Sequence, residues 1–145
     1  MWSYKGKRWD PPKEELKKWC GFVYEITDLD NGKKYIGKKS LWSKVTRPPL
    51  KGKKNKRRSI KESDWQTYHG SSDIVKTLVE EHGTNRFTRE ILRLCESLGE
   101  MSYYETKIQL TRDVLFKPDE YYNSFIGCRI HRNHITGKKK KAQKI

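Results

Sequence analysis

Two tyrosines, one helical glutamate and a Cys-His-His run are the residues of this chain whose types and spacing could do chemistry. Tyr24 and Tyr35 stand eleven positions apart in "GFVYEITDLDNGKKYIGKKSLWS", residues 21 to 43, each in a short apolar run, with a polar turn between them. A phenol has an ordinary pKa near 10, and cations placed close to it lower that value. Lys38 and Lys39, just past Tyr35, supply such charge. The same two rings could instead simply fill one face of a hairpin. Glu105, in "MSYYETKIQL", shares a helical stripe with Leu98, Met101 and Ile108 and is expected to face a sheet. A carboxylate there is costly unless it is paired or metal-bound, so it is either a metal ligand or a rim glutamate paired with a lysine. "CRIHRNH" spaces Cys128, His131 and His134 at i, i+3 and i+6. A closed zinc site needs four ligands, usually in two spaced pairs, and no second pair is evident. The preferred reading is a small cysteine beside phosphate-facing His and Arg.

These residues need a scaffold, and the sequence suggests one. Phe22 to Thr27 alternates as a strand, Asn31-Gly32 in "DLDNG" is a hairpin-turn signal, and Lys33 to Lys38 returns. From Lys33 to Lys61 there are thirteen Lys or Arg and no Asp or Glu. Within that span residues 44–61, including "TRPPLKGKKNKRR", are predicted to be a basic loop inserted in the domain. Ser72 or Asp73 is expected to cap a helix carrying Ile74, Val75, Leu78 and Val79, with Gly83 as its stop. "RFTREILRLC", residues 86–95, suits a third, central strand, although Phe87, Ile91 and Leu94 alternate unevenly. A longer helix is predicted over 98–115, on a stripe of Leu98, Met101, Ile108 and Leu115, ended by Pro118. "YYNSFIG", 121–127, reads as a short extended piece. The predicted architecture is α+β: a small three-stranded antiparallel sheet flanked by helices over residues 21–130. A basic, aromatic arm over 1–20, with a short helix in "KEELKKW", and a basic tail over 131–145 flank it.

Composition narrows the partners. The chain has 145 residues, enough for one domain with a modest core, with 33% apolar and 35% charged residues. A formal charge of +15 repels itself and calls for a polyanion, nucleic acid first. No run of about 18 apolar residues exists and the basic segments lack an amphipathic apolar face, so no membrane partner is expected. The odd count of three cysteines, without framework spacing, and the lack of a signal-peptide-like start predict an intracellular, reducing setting.

In this order the residues resemble the GIY-YIG nuclease family. Phe22-Val23-Tyr24 and Tyr35-Ile36-Gly37 resemble its two signature triplets, with Phe22 where the first triplet has glycine; Gly21 lies one residue too early to fill that place. Glu105 on a helix after the third strand and Asn123 after that helix extend the resemblance over residues 21 to about 127. It implies a DNA endonuclease in which Glu105 holds Mg²⁺ or Mn²⁺. Tyr24 would act as general base on water, and Tyr35 would orient the water or share its proton. The family's arginine is expected at Arg58 or Arg57, counting back from "HGSS"; Arg47, before two prolines, is disfavoured as helical. Lys38, Lys39, Lys51, Lys53, Lys54, Lys56 and His69 are the expected DNA contacts. Trp42, Trp65 and Tyr68 could stack on bases but more often such residues pack beneath a loop. The resemblance further suggests a mobile-element or bacteriophage homing-type enzyme, acting in the cytoplasm of a cell that includes an infected bacterial host. A dimer is required only if both strands are cut in one event. The rival is a non-catalytic DNA-binding or architectural protein, or a nuclease-like domain that has lost activity.

Overall fold

The computed structural model describes residues 1–135. Along the chain run β1 (Trp2–Tyr4), β2 (Lys7–Arg8), α1 (Lys13–Leu16), β3 (Gly21–Asp28), β4 (Lys34–Ser40), β5 (Trp42–Arg47) and β6 (Arg57–Glu62). They are followed by α2 (Asp73–His82), β7 (Phe87–Cys95), α3 (Leu98–Thr111) and α4 (Arg132–Ile135). The main sheet has the order β2-β1-β7-β3-β4, and β5 and β6 form a separate hairpin. The expected α+β architecture is therefore present, and its three antiparallel strands are β7, β3 and β4.

The first hairpin forms where "DLDNG" predicts. Asp28 Oδ1 accepts from the Asp30 amide at 3.0 Å, Asn31 Oδ1 accepts from the Lys33 amide at 2.9 Å, and Gly32 takes a φ of 76°. Asp28 is fully buried and receives a two-pronged Arg86 guanidinium at 2.7 and 2.9 Å, with the Tyr122 hydroxyl at 2.6 Å. On β3, Phe22, Tyr24 and Ile26 face one core, shared with Trp2, Trp9, Leu16, Leu41, Trp65 and Ile91. Val23 faces the other, with Ile36, Cys95, Met101 and Val114, and α3 covers that face. The uneven alternation of β7 has a local cause. Val23 pairs with Arg93 but Tyr24 pairs with Ile91, so Leu92 is an extra residue that resets the parity before Leu94.

Two expectations are corrected. Residues 1–20 are an integral part of the fold rather than an arm. β1 pairs in parallel with β7, and Trp2 is buried, donating its indole N–H to the Trp65 carbonyl at 2.6 Å. The turn between β1 and β2 has positive φ at both Lys5 and Gly6, the geometry of a two-residue hairpin. Strands of three and two residues are too short to show a period. Residues 44–61 are likewise no simple loop, because β5 and β6 pair from Trp42↔Glu62 out to Arg47↔Arg57. All of β6 is exposed, so neither face needs an apolar stripe, and Pro48, Pro49 and Gly52 sit in the connecting segment.

The helices agree more closely. Ser72 caps α2, accepting from the Val75 amide, and Gly83 ends it. The long helix stops at Thr111, short of its predicted end, because Asp113 adopts a left-handed φ of 52° and a 3₁₀ turn over Val114–Phe116 follows. Leu98 and Leu115, expected on its buried stripe, are exposed, while Met101 is buried. Of the predicted tail, α4 lies within the described residues, and 136–145 lie outside them.

Candidate active site

Tyr24 lies near the middle of β3, between β4 and β7, and its ring projects into the aromatic core on one face, where it is fully buried. Its register partner on β4 is Gly37. A Cβ at that position would run into the Tyr24 ring and hydroxyl, which is why glycine is required there. Gly70, with φ of 93°, packs over the same ring: a Cβ on it would lie 3.4 Å from both the Tyr24 Oη and Tyr35 Cδ1. Tyr24 and Tyr35 have ring centroids 6.3 Å apart, and Tyr68 meets Tyr24 edge-on at 5.9 Å. Three phenols thus converge, one more than the sequence reading singled out.

The hydroxyls differ in their partners. Tyr35 Oη shares a hydrogen bond with Ser71 Oγ at 2.9 Å. The Tyr24 hydroxyl is buried with no partner of regular hydrogen-bond geometry among the described residues, although the Tyr68 hydroxyl lies close enough to act on its proton. A buried, unpaired hydroxyl costs on the order of 1–3 kcal/mol and in a native fold calls for an explanation. Burial pushes the Tyr24 pKa well above the usual phenol value, and Tyr68, Tyr35 and the Glu105 carboxylate push in the same direction. Tyr35 is raised mainly by burial, with the Ser71 bond working against it. This corrects the expectation of a cation-lowered phenol. Lys39 is committed to Asp64 at 2.6 Å and lies over the Tyr68 ring at 4.2 Å. Lys38 points to the other face of β4 and donates to Ser102 Oγ at 2.7 Å.

Glu105 stands on α3, which covers the opposite face of the sheet, beside the Lys38 backbone amide of β4. It is half-buried on α3, and burial raises its pKa against the opposing effects of the Lys38 charge and the Lys38 backbone amide. Its field is felt by both Tyr24 and Tyr35, so carboxylate and phenols share one electrostatic environment. No ion pair within 4.0 Å engages it among the described residues. A half-buried carboxylate of this kind suits Mg²⁺, which is commonly held by one or two carboxylates plus water and substrate phosphate. No group of three His, Cys, Asp or Glu forms an all-protein metal cage among the described residues. The exposed Cys128 thiol donates instead to the Ser102 carbonyl at 3.5 Å, and the side chain of His134 lies outside the described residues.

The remaining expected site residues scatter. Asn123 is buried beneath β4, where its amide accepts from the Ile36 N–H at 3.0 Å and donates to the Ile36 carbonyl at 2.8 Å. Both ends of the side chain are used, so it holds the strand between Tyr35 and Gly37 rather than facing substrate. Gln109 adds a 2.9 Å bond to the same carbonyl, a contribution the sequence did not disclose. Arg57 and Arg58 are not brought to the phenols. They are exposed near the outer end of the β5–β6 hairpin, about 17 Å along β6 from its root for Arg57, which donates to the Pro48 carbonyl. Lys51, Lys53, Lys54 and Lys56 are exposed in the segment joining those strands. His69 is half-buried beside the phenols, bonded through Nδ1 to the Thr67 carbonyl at 2.9 Å, and burial lowers its pKa. Trp65 packs in the core.

Arg89 is the buried arginine that the sequence reading passed over. Its guanidinium donates to the Gln66 and Tyr68 carbonyls at 2.9 and 2.8 Å and stacks on Trp2 at 4.7 Å. It therefore holds the segment that carries Tyr68, His69 and Gly70 against the sheet. Within "RFTREILRLC" it occupies an inward strand position, which was the available signal.

A family described as "Putative endonuclease segE, GIY-YIG domain" matches residues 2–126. The chain belongs to this GIY-YIG family. The match includes the first two strands, in agreement with their place in the sheet. A curated relative, "Putative endonuclease segE" of Enterobacteria phage T4, is 33% identical over 102 residues, which cover 70% of this chain and 39% of the relative. The chain thus spans about two-fifths of that relative's length. No solved structure matches. The glycine missing from the first GIY-YIG triplet is also explained: Phe22 is fully buried and its ring packs against Trp2 at 4.8 Å and Trp65 at 6.3 Å. Gly21, beside it, is needed for another reason, since a Cβ there would strike the Lys39 carbonyl and Met101 Sδ.

Proposed function

We propose that this GIY-YIG domain is a divalent-metal-dependent DNA endonuclease. The observation that carries this reading is the buried Tyr24 hydroxyl, without a regular hydrogen bond among the described residues, set against Tyr35 and Tyr68 and within the field of the Glu105 carboxylate. Glu105 would hold Mg²⁺ or Mn²⁺. A cation bound there supplies charge to offset the phosphoryl oxygens and the departing 3′ oxygen.

The chain's own groups supply the proton chemistry. Tyr24 takes the proton of the attacking water, and Tyr35 and Tyr68 orient or share it. A phenol with a raised pKa is seldom ionised at neutral pH, but the ionised form is a correspondingly strong base. Gly70 and Ser71 cover the phenols, so a small displacement of this segment admits water to Tyr24. Lys38 and Lys39 flank the site from the two faces of β4, and the basic β5–β6 hairpin provides sequence-independent contact with the phosphate backbone. One such site cuts one strand at a time.

The reading is tested by incubating the purified chain with supercoiled plasmid in Mg²⁺, in Mn²⁺ and in EDTA. Nicked circles are expected with either metal and none with EDTA. Plasmid that binds the chain yet stays intact in both metals contradicts it and supports the rival, a DNA-binding protein without turnover. The observation favouring that rival is the complete burial of Tyr24.

A further inference from the structure

A groove of about 800 Å³ lies away from the phenols, between α1, the root of the β5–β6 hairpin and the start of α3. Lys17, Lys18, Lys44 and Lys61 line it together with Trp19 and Trp42. Glu62 and Glu96 also border it, against the lysines, and the Glu62 carboxylate accepts from the Trp65 indole at 2.7 Å. The Trp42 indole is held in place, because it donates to the Trp19 backbone carbonyl at 2.9 Å. The Trp19 indole N–H is shielded from water and has no acceptor among the described residues.

We propose that this groove binds an unpaired stretch of a nucleic-acid strand, separate from the cleavage site. Lysines along the walls neutralise successive phosphates, and a half-buried, fixed indole offers a stacking platform that tolerates any base. An acidic peptide would satisfy the lysines but leave the aromatic wall without a matched partner. The groove adjoins the hairpin whose Lys44 and Lys61 belong to it, so a strand leaving the groove continues onto a basic surface. The proposal deepens the DNA reading of the domain but does not depend on catalysis.

The test uses the full chain carrying Glu105→Ala, to prevent cleavage, and a fluorescein-labelled dT oligonucleotide of about ten nucleotides. Replacing Lys17, Lys18 and Lys61 by Gln is expected to weaken binding about tenfold or more and to lower the salt slope by about two. A control variant, Lys5→Gln with Lys7→Gln, lowers charge on the exposed β1–β2 hairpin outside the groove, and is expected to change binding less than threefold. Trp19→Leu is expected to weaken oligonucleotide binding with a melting profile close to the parent's. Equal losses in the groove and control variants overturn the proposal, as does a poly-Glu peptide that displaces the oligonucleotide on a charge-for-charge basis. Plasmid nicking by the groove variant in a Glu105 background separates the two readings. Nicking without groove binding removes only this proposal, and groove binding without nicking removes only the nuclease.

Discussion

Tyr24 carries two opposite requirements, since it must be buried to complete the core and yet reach a water to act as a base. Its raised pKa turns this conflict into a measurable pH profile. If the ionised phenol is the reacting form, the single-turnover nicking rate rises about tenfold per pH unit through neutral pH, with no plateau below the usual phenol range. Tyr24→Phe removes one hydroxyl that makes no regular hydrogen bond, so it is expected to abolish that rise while keeping or slightly increasing stability. A normal rate in this variant assigns the base elsewhere. The two triplet tyrosines and Glu105 were legible because their spacing is carried by a single hairpin and a single helix. Tyr68 was not, because its place beside Tyr24 depends on a segment that Arg89 holds over the sheet through carbonyl bonds, which no local pattern encodes.

At the scale of elements, two buried polar clamps position the strands that carry the phenols. Asn123→Ala removes both bonds to Ile36 and leaves its amide without that partner, and is expected to cost about 2 kcal/mol in denaturant unfolding. If stability is unchanged, the clamp is not what fixes β4. Asp28 holds the other end of the hairpin. Burial favours its neutral form, but the Arg86 and Tyr122 bonds outweigh this and leave its pKa depressed. A depressed folded pKa contributes stability that is complete above the unfolded value, near 4, and is lost as pH falls through the folded one. Asp28→Asn should therefore flatten the acid limb of the stability curve, and an unaltered limb would locate the acid sensitivity elsewhere. The hairpin itself was readable from "DLDNG", and α2 from its serine cap and glycine stop. β1, β2, β5 and β6 were hidden because two are shorter than any period and two carry no buried stripe. The end of α3 was misplaced because a left-handed Asp113, not Pro118, terminates it.

Over the whole molecule, +15 of formal charge is distributed so that function and repulsion are separated. The core on the Tyr24 face of β3 is largely aromatic, its buried charges at Asp28 and Arg89 are hydrogen-bonded, and the outer hairpin carries Arg47, Lys51, Lys53, Lys54, Lys56, Arg57 and Arg58 away from it. Such a hairpin adds little to stability and much to encounter with a polyanion. Replacing Lys51, Lys53, Lys54 and Lys56 by Gln is expected to leave the melting temperature unchanged while lowering the duplex-binding salt slope by roughly three to four. A slope identical to the parent's would mean that the hairpin faces away from DNA. The α+β class and the basic character were both legible from composition and order, because neither depends on long-range detail. The meeting of the three phenols over β4 required coordinates. The central claim is that Glu105 serves cleavage and not folding or binding, and the most direct measurement is plasmid nicking by Glu105→Ala beside its duplex affinity. No nicked product is expected in Mg²⁺ or Mn²⁺, with affinity within about twofold of the parent; nicking at the parental rate would contradict the role of Glu105.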